Sequence, residues 1–335
     1  MTGVSVSVVD GAAFRAQVGE TLLDAALHHH VDLPHDCRAG SCGTCRVQIV
    51  DGSVEGGETS EPGYVLACQC RLTNDITIAV EYVPHVETVG AYVKSLVFMS
   101  EDVVEVTLVP DHPFVYLPGQ YCQFRFKGFP ERAYSPTLAL EGPADRETIR
   151  LHIRQVPGGR VSGALGEGIL PGHKVRVTGP FGSAYLRPGK RERLVLASSG
   201  TGFAPIWAIA HAALTEMPDR EIVVIPGART RESLYMRACL LRLMAFPNVH
   251  VIPVVSQGPD DSVFQIGSPI DMVPQLSQDD LVYVCGSPAM VAAMAQIASN
   301  EGAPCYADAF EPSHAARSAG LLARARRVMP FLSPI

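Results

Sequence analysis

Three stretches with different patterns of apolar and polar positions follow one another along the chain. The first ends in a β-branched run at residues 76–80, which predicts a strand-rich unit. From about residue 85 the strands become longer, and candidates at 103–109 and 121–126 are separated by a turn with a Pro-Gly pair at 118–119. Short strands at this spacing predict an antiparallel barrel.

A third pattern begins at residues 193–197, where an apolar strand precedes a glycine-containing turn and a helix-like stretch at 206–214. Apolar strands at 222–225 and 281–285 continue this alternation, which is typical of a parallel α/β sheet. We therefore predict a multidomain chain: an α+β domain, an antiparallel β-barrel and an α/β parallel-sheet domain. The expected limits are residues 1–84, 85–190 and 191–310, followed by a C-terminal extension of unknown role at 311–335.

The composition of the 335 residues is that of an ordinary globular protein, with 47% hydrophobic and 18% charged residues. No run of about 18 apolar residues occurs, so no membrane span is expected. The N-terminus lacks the basic and apolar segments of a secretory signal, and we expect a cytoplasmic protein that uses its cysteines for metal binding or packing. No basic stripe with interleaved aromatics is present, which disfavours nucleic-acid binding.

The negative charge is concentrated at the start of the chain. Residues 1–84 contain 11 acidic and 4 basic side chains, whereas the remaining residues contain 23 of each. A solvated acidic surface is one explanation. The other is that the charge steers the first domain towards a positively charged redox partner, which would make association dependent on ionic strength.

Candidate chemistry begins with the cysteines. Cys37, Cys42 and Cys45 have the C-x4-C-x2-C spacing of a plant-type [2Fe–2S] centre, whose fourth thiolate comes from a distant cysteine. Structural zinc would need a second C-x2-C pair, a Rieske centre would need two histidines, and a disulfide framework would need an export signal. The residues alone leave the fourth ligand open between Cys68 and Cys70, because side chains two apart on a strand point to the same face.

Three further motifs are weak individually. Residues 132–135 place an arginine, an aromatic ring and a hydroxyl on one extended segment. Residues 152–162 contain a Gly-Gly pair and a serine that can cap a helix, which is a feature of phosphate sites. Residues 198–205 form a glycine loop between a strand and a helix, as a dinucleotide site requires, although Pro205 replaces the last glycine of the usual fingerprint.

In this order, the motifs resemble the reductase components of bacterial Rieske-type aromatic-ring dioxygenases, in particular those of the naphthalene dioxygenase type. The resemblance extends over nearly all of residues 1–310. It implies a β-grasp ferredoxin domain, a FAD-binding barrel and an NAD(P)-binding domain. It also implies that Cys68, in a Leu-Ala-Cys-Gln turn, is the fourth cluster ligand, which leaves Cys70 as a core residue.

The resemblance further implies a flavin site in the barrel. Arg132 would contact the FAD pyrophosphate, Tyr134 would pack against the isoalloxazine, and Ser135 would approach flavin N5 as a catalytic residue. Phe310 would shield the ring on its other face. The remaining flavin residues implied by the resemblance are Ala133, His152, Ile153, Arg154, Gly159, Arg160, Val161 and Ser162.

A nicotinamide site is implied in the same way, with Cys285 near C4 of the nicotinamide as a second catalytic residue. The expected coenzyme contacts are Gly200, Thr201, Gly202, Pro205, Cys285 and Gly286. Arg229 and Arg231 stand where an acid usually binds the ribose 2′-hydroxyl, so they can accept a 2′-phosphate. NADH is nevertheless the usual donor of the family, so we expect NADH with NADPH as an alternative.

The electron count links these sites. NAD(P)H yields two electrons as a hydride and the cluster accepts one at a time, so a flavin is needed between them. We predict an NAD(P)H-dependent reductase that uses FAD and a [2Fe–2S] cluster to supply a Rieske ferredoxin or the terminal oxygenase of a ring-hydroxylating dioxygenase. The alternatives are the reductase of a soluble diiron monooxygenase and an electron-carrier module that does not oxidise NADH itself.

Overall fold

The computed structural model describes residues 3–81, 83–141, 147–258 and 264–310. The C-terminal extension predicted at 311–335 lies outside the described residues. The described part contains three large sheets, each with its own apolar core, and one two-stranded ribbon. The large sheets follow one another along the chain as the alternation of apolar and polar positions predicts.

The first sheet is small and mixed. Its unit contains β1 (Gly3–Val8), β2 (Ala13–Gln17), α1 (Leu22–His28), β3 (Arg46–Asp51), β4 (Val54–Glu55), β5 (Tyr64–Leu66), β6 (Arg71–Leu72) and β7 (Ile76–Val80). The strand order is β2-β1-β7-β3-β5, with β1 and β7 parallel, while β4 and β6 form a separate ribbon. Thr21 caps α1, because its hydroxyl accepts a hydrogen bond from the Asp24 amide. The helix packs its buried leucines and alanines against the sheet.

The second sheet is antiparallel throughout and matches the predicted barrel. Its strands are β8 (Glu87–Phe98), β9 (Val103–Pro110), β10 (Tyr121–Phe126), β11 (Arg132–Tyr134), β12 (Ile149–Arg154) and β13 (Lys174–Phe181). They are ordered β11-β10-β13-β8-β9-β12. Alternate residues of β10, including Phe124 and Phe126, point into the core and are fully buried.

The third sheet is parallel throughout and is covered on both faces. Its unit contains β14 (Leu194–Ser199), α2 (Phe203–Glu216), β15 (Ile222–Ala228), α3 (Arg237–Met244), β16 (Val249–Val251), β17 (Val254–Val255), β18 (Gln265–Ile266), β19 (Leu281–Gly286), α4 (Pro288–Asn300) and β20 (Cys305–Ala309). Leu194 and Leu196 pack with α2 and α3, whereas Val195 and Ala197 pack with α4. A strand buried on both faces is a continuous apolar run, which is why β14 shows no alternation.

A buried polar junction joins the three units. Arg46 in β3 forms ion pairs with Glu61 and Glu81 of the first unit. Arg187, which follows the second sheet, pairs with the same Glu81 at 3.5 Å. Tyr306 of the third sheet donates a hydrogen bond to Glu61 at 2.7 Å. Side chains from all three units therefore share one network of charges.

The first unit also contacts the edge of the third sheet. The Ser60 hydroxyl donates a hydrogen bond to the Cys305 carbonyl at 3.1 Å and accepts one from the Cys305 amide at 3.0 Å. Cys305 is the first residue of β20, which is an edge strand. Both outward-facing backbone groups of that residue are thereby satisfied by the first unit.

Candidate functional site

The loop between α1 and β3 carries Cys37, Cys42 and Cys45 in a tightly folded backbone. Gly40 and Gly43 have φ angles of 79° and 68°, a conformation that favours glycine. Gly43 also has no room for a side chain, because an added Cβ would lie 2.1 Å from the Ser183 hydroxyl oxygen. These two glycines therefore let the backbone fold tightly around the three cysteines.

Several N–H groups point at the sulfurs. The amides of Ala39 and Cys42 donate to Cys37 Sγ at 3.3 and 3.4 Å. The Gln69 side chain donates to Cys68 Sγ at 3.3 Å. Although burial opposes ionisation of Cys37, hydrogen bonds from Ser41, Ala39 and Cys42 lower the pKa of its thiol to about 7. Such donors stabilise thiolate charge, the form that ligates iron.

The four predicted ligands lie close together. The Cys37 thiol interacts with Cys42, and the Cys45 thiol interacts with both Cys68 and Cys42. Within the described part of the chain, no three His, Cys, Asp or Glu side chains are grouped to hold a single metal ion. A [2Fe–2S] cluster instead needs two thiolates for each of its two irons, so the four cysteines fit such a cluster. Cys70, by contrast, is fully buried in the apolar core.

A cleft of about 1160 Å³ lies between the barrel and the parallel sheet. It is lined by all twelve residues expected to contact FAD: Arg132, Ala133, Tyr134, Ser135, His152, Ile153, Arg154, Gly159, Arg160, Val161, Ser162 and Phe310. Gly200, Thr201, Arg229 and Gly286 of the expected coenzyme residues line the same cleft. Residues from two predicted sites are therefore brought to one space, large enough for a flavin and a nicotinamide to meet.

The other four expected coenzyme residues do not line the cleft. Pro205 is buried in the first turn of α2, and Arg231 places its guanidinium 4.9 Å from the Phe264 ring centre. Gly202 packs so closely on β19 that an added Cβ would lie 2.2 Å from the Cys285 carbonyl oxygen. The Cys285 side chain is fully buried, and burial raises the pKa of its thiol well above the usual value. Its assignment to the nicotinamide therefore stays a prediction.

His152 lines the cleft, and its ring nitrogens also contact side chains of two units. Its ring nitrogens lie 3.1 Å from the Tyr235 hydroxyl and 3.1 Å from a Glu105 carboxylate oxygen. The hydrogen bond with His152 is the main reason that the pKa of Glu105 is lowered. The imidazole is thus held between the barrel and the parallel-sheet unit.

Asp308 belongs to the site but was not predicted from the sequence. Its carboxylate accepts a hydrogen bond from the Ser135 hydroxyl at 2.7 Å, and it lines the cleft. Burial raises the pKa of this carboxyl to about 6, although the Ser135 hydrogen bond opposes the shift. A sequence signal existed, since Asp308 is the one acid in the 306–310 segment that ends at Phe310. The amide of Phe310 donates to the Gly286 carbonyl at 2.7 Å, which fixes that segment at the cleft.

The cysteine loop reaches the same cleft. Ser41 and Cys42 line one end of it, beside Tyr121, Gly182 and Ser183 of the barrel. The proposed cluster ligands and the expected flavin residues are therefore neighbours in space, although they are about 90 residues apart in the chain. Among the described residues, no helix has the length and apolarity needed to cross a bilayer.

Comparison with known proteins agrees with this geometry. The model of a 2Fe-2S iron-sulfur cluster binding domain matches residues 8–73. The models of an oxidoreductase FAD-binding domain and an oxidoreductase NAD-binding domain match residues 91–185 and 196–296. The four cysteines suit an iron-sulfur cluster, the cleft suits FAD, and the glycine loop suits NAD(P)H.

Similar proteins span the same three units. The ferredoxin–NAD(P)(+) reductase component of the naphthalene 1,2-dioxygenase system of Pseudomonas putida is 32% identical, with 88% of this chain and 94% of the relative covered. The xylene/toluene monooxygenase electron transfer component of Pseudomonas putida is 30% identical, with 84% and 85% covered. The solved ferredoxin reductase of carbazole 1,9a-dioxygenase has a TM-score of 0.63 at 25% identity and covers 92% of this chain and 99% of its own.

Proposed function

Because this chain belongs to the family of oxygenase reductase components that join a [2Fe–2S] domain to FAD- and NAD-binding domains, we propose that it supplies electrons to an aromatic-ring dioxygenase. Its immediate acceptor is then a Rieske ferredoxin or the terminal oxygenase. The chain is an NAD(P)H oxidoreductase that uses FAD and the cluster. FAD supplies the conversion of a two-electron donor into single-electron steps.

One observation supports the proposal most strongly. A single cleft is lined by the expected flavin residues, by four of the expected coenzyme residues and by Cys42. An electron-carrier module without its own NADH oxidation would not need the Arg-x-Tyr-Ser segment and the glycine loop to face each other across one space. We therefore favour the reductase over the carrier.

We assign the individual residues as follows. Cys37, Cys42, Cys45 and Cys68 ligate the cluster, and the N–H groups around them stabilise the thiolates. Ser135 and Asp308 form a hydrogen-bonded pair at the flavin position. In the barrel, Arg132 and Tyr134 hold the flavin, and residues 159–162 hold its phosphates at the Ser162–Ala164 turn.

On the coenzyme side, Gly200 and Thr201 admit the nicotinamide nucleotide to the cleft. NADH is the proposed donor, with NADPH possible because Arg229 also faces the cleft. Steady-state rates with each donor test this choice, and a strong preference for NADPH would overturn it.

An anaerobic NADH titration tests the whole assignment. Optical and EPR spectra should show the flavin bleaching, followed by the signal of a reduced [2Fe–2S] cluster. Cys42→Ser should abolish the cluster signal and leave NADH-to-dye activity largely intact, because the variant keeps the flavin residues. Failure of the unmodified protein to bind FAD or oxidise NADH would instead support the carrier.

The acceptor is tested by reconstitution. Electron delivery to a Rieske ferredoxin or oxygenase supports the dioxygenase system, whereas delivery only to a diiron hydroxylase supports the alternative. The resemblance to a xylene/toluene monooxygenase component makes this comparison worthwhile. Rates should fall as salt is raised if the acidic charge of residues 1–84 steers the acceptor.

A further inference from the structure

The loop that carries three proposed cluster ligands is held to the barrel at both ends. Asp36, immediately before Cys37, accepts hydrogen bonds from the Tyr121 hydroxyl and from Gln123 Nε2, the latter at 2.9 Å. Thr44, immediately before Cys45, accepts a hydrogen bond from the Gly182 amide at 2.9 Å. The two anchors therefore bracket the cysteine motif.

The barrel side of this contact is well packed. Tyr121 pairs with Phe181 across β10 and β13, and their ring centres lie 5.7 Å apart. Gly182 lies against the Tyr121 ring, where an added Cβ would be 3.0 Å from a ring carbon. A side chain held by both a sheet partner and a neighbouring turn has little freedom to move, so it can act as a fixed support for Asp36.

The contact adjoins both the cleft and a proposed cluster ligand. Tyr121 lines the cleft together with Ser41 and Cys42, and its hydroxyl also interacts with the Cys42 thiol. The Asp36 carboxylate accepts both hydrogen bonds, and hydrogen bonds to a charged acceptor are stronger than neutral ones. Any displacement of this carboxylate would move the cysteine loop relative to the flavin residues.

From this geometry we infer that Asp36, with Tyr121 and Gln123, is a positioning device that fixes the cluster loop against the flavin cleft. The inference rests on the proposed function, and it concerns the step from flavin to cluster. Asp36 touches neither the cleft nor, in the described residues, any flavin or coenzyme position. Oxidation of NADH should therefore be independent of it.

The test separates the two half-reactions in rapid-mixing experiments with NADH under anaerobic conditions. Asp36→Ala removes both hydrogen bonds and should slow cluster reduction at least about tenfold, because the loss of one charge-assisted hydrogen bond alone can lower the population of the docked loop by about that factor. Flavin reduction should stay within about twofold of the unmodified rate, because hydride transfer occurs elsewhere in the cleft. Asp36→Asn should recover much of the rate, since its amide oxygen still accepts from Tyr121.

Two further variants make the result specific. Gln123→Leu weakens the same contact from the barrel side and leaves the sequence of the cysteine loop unchanged. If Asp36→Ala fails to assemble its cluster, Gln123→Leu therefore tests the positioning role instead. Asp32→Ala is the matched control, because its side chain is 72% exposed and the substitution removes the same charge from the same unit. Rates are normalised to iron content.

Amide hydrogen exchange supplies a readout other than activity. Exchange in residues 37–45 should accelerate in Asp36→Ala and in Gln123→Leu, while α1 stays unchanged. The inference is overturned if cluster reduction and loop exchange match those of Asp32→Ala, or if flavin reduction slows as much as cluster reduction. If the unmodified protein does not reduce its own cluster with NADH, the proposed function fails instead.

Discussion

Cys68 and Cys70 are separated by one residue and have different surroundings. Cys68 is half-buried, receives a hydrogen bond from Gln69 and interacts with Cys45. Cys70 is fully buried between Leu22 and Leu72 in the apolar core. The structure therefore gives a physical reason for a choice that strand alternation left open.

Substitution of these two cysteines should have opposite effects. Cys68→Ser should remove the [2Fe–2S] EPR signal, because a ligand is lost. Cys70→Ala should keep the signal and lower the free energy of unfolding by roughly 1 kcal/mol, since only a small buried side chain is removed. Iron content and EPR of both variants check this, and loss of the cluster in Cys70→Ala alone would reverse the assignment.

Asp308 should make stability depend on pH. Burial raises the pKa of its carboxyl from 3.8 to about 6, so the folded state holds a proton that the unfolded state has released. Stability should therefore fall as the pH rises from about 4 to about 6, by roughly 1–2 kcal/mol after allowance for partial exposure.

Asp308→Asn removes the titrating group and should flatten this dependence. Urea unfolding at several pH values, followed by the fluorescence of Trp207, is the measurement, because Trp207 is the one tryptophan and lies in the core beneath α2. Parallel pH profiles for the variant and the unmodified protein would contradict the assignment of the shift to Asp308.

At the residue scale, the sequence could predict contacts that are local and could not predict those between distant positions. The cysteine loop and the 132–135 segment are contiguous, so their spacing indicates their chemistry. Ser135 and Asp308 are 173 residues apart, and Tyr121 is 85 residues from Asp36. Only the folded chain brings such pairs together, and a single sequence contains no periodicity that links them.

Among the elements, the turn Gly200–Gly202 is packed closely against β19. Gly202 has an ordinary helical φ of −59°, so a larger residue would cause no backbone strain there. An added Cβ would, however, collide with the backbone of Cys285 and Gly286. The glycine is needed for the close approach of the turn to β19.

Gly202→Ala should displace this turn and raise the KM for NADH about tenfold or more, while FAD content stays normal. Gly168→Ala is the matched control, because its added Cβ would make only ordinary contacts, the nearest at 3.4 Å from Phe129. Steady-state kinetics and the absorbance of bound flavin distinguish the two variants. An unchanged KM in Gly202→Ala would show that the turn does not position the coenzyme.

The elements themselves were predictable where they are long and regular. The apolar run at 193–197 and the stretch at 206–214 correspond to β14 and α2. Strands of two or three residues, such as β16, β17 and β18, show no usable periodicity. β16 and β17 form because β15 offers them a parallel partner, and β18 pairs in turn with β17, which is a tertiary effect.

On the scale of the whole molecule, Glu81 joins the first unit to the second. Its carboxylate faces Arg46 and Arg187 and accepts a hydrogen bond from Tyr185. Burial alone would raise the pKa of Glu81. The Tyr185 hydrogen bond and the two arginines nevertheless keep this pKa below its usual value. Without this carboxylate, two largely buried guanidinium groups lose a shared counterion.

Glu81→Ala should lower the free energy of unfolding by roughly 2–4 kcal/mol, because it leaves buried charge uncompensated. Glu221→Ala, which removes an exposed partner 3.8 Å from Arg193, should cost less than about 1 kcal/mol. The two variants are compared by urea unfolding, with cluster absorbance reporting the first unit and Trp207 fluorescence the third. In Glu81→Ala these two transitions should separate, and coincident transitions in the variant would show that the units stay coupled without Glu81.

The contact of Ser60 with β20 has a consequence for how the molecule can be divided. Removing the first unit would uncover the Cys305 amide and carbonyl on an edge strand of a parallel sheet. Open strand edges recruit strands from other copies. A truncated flavin–nicotinamide fragment is therefore expected to self-associate through this edge, which the cluster-bearing unit covers in the whole chain.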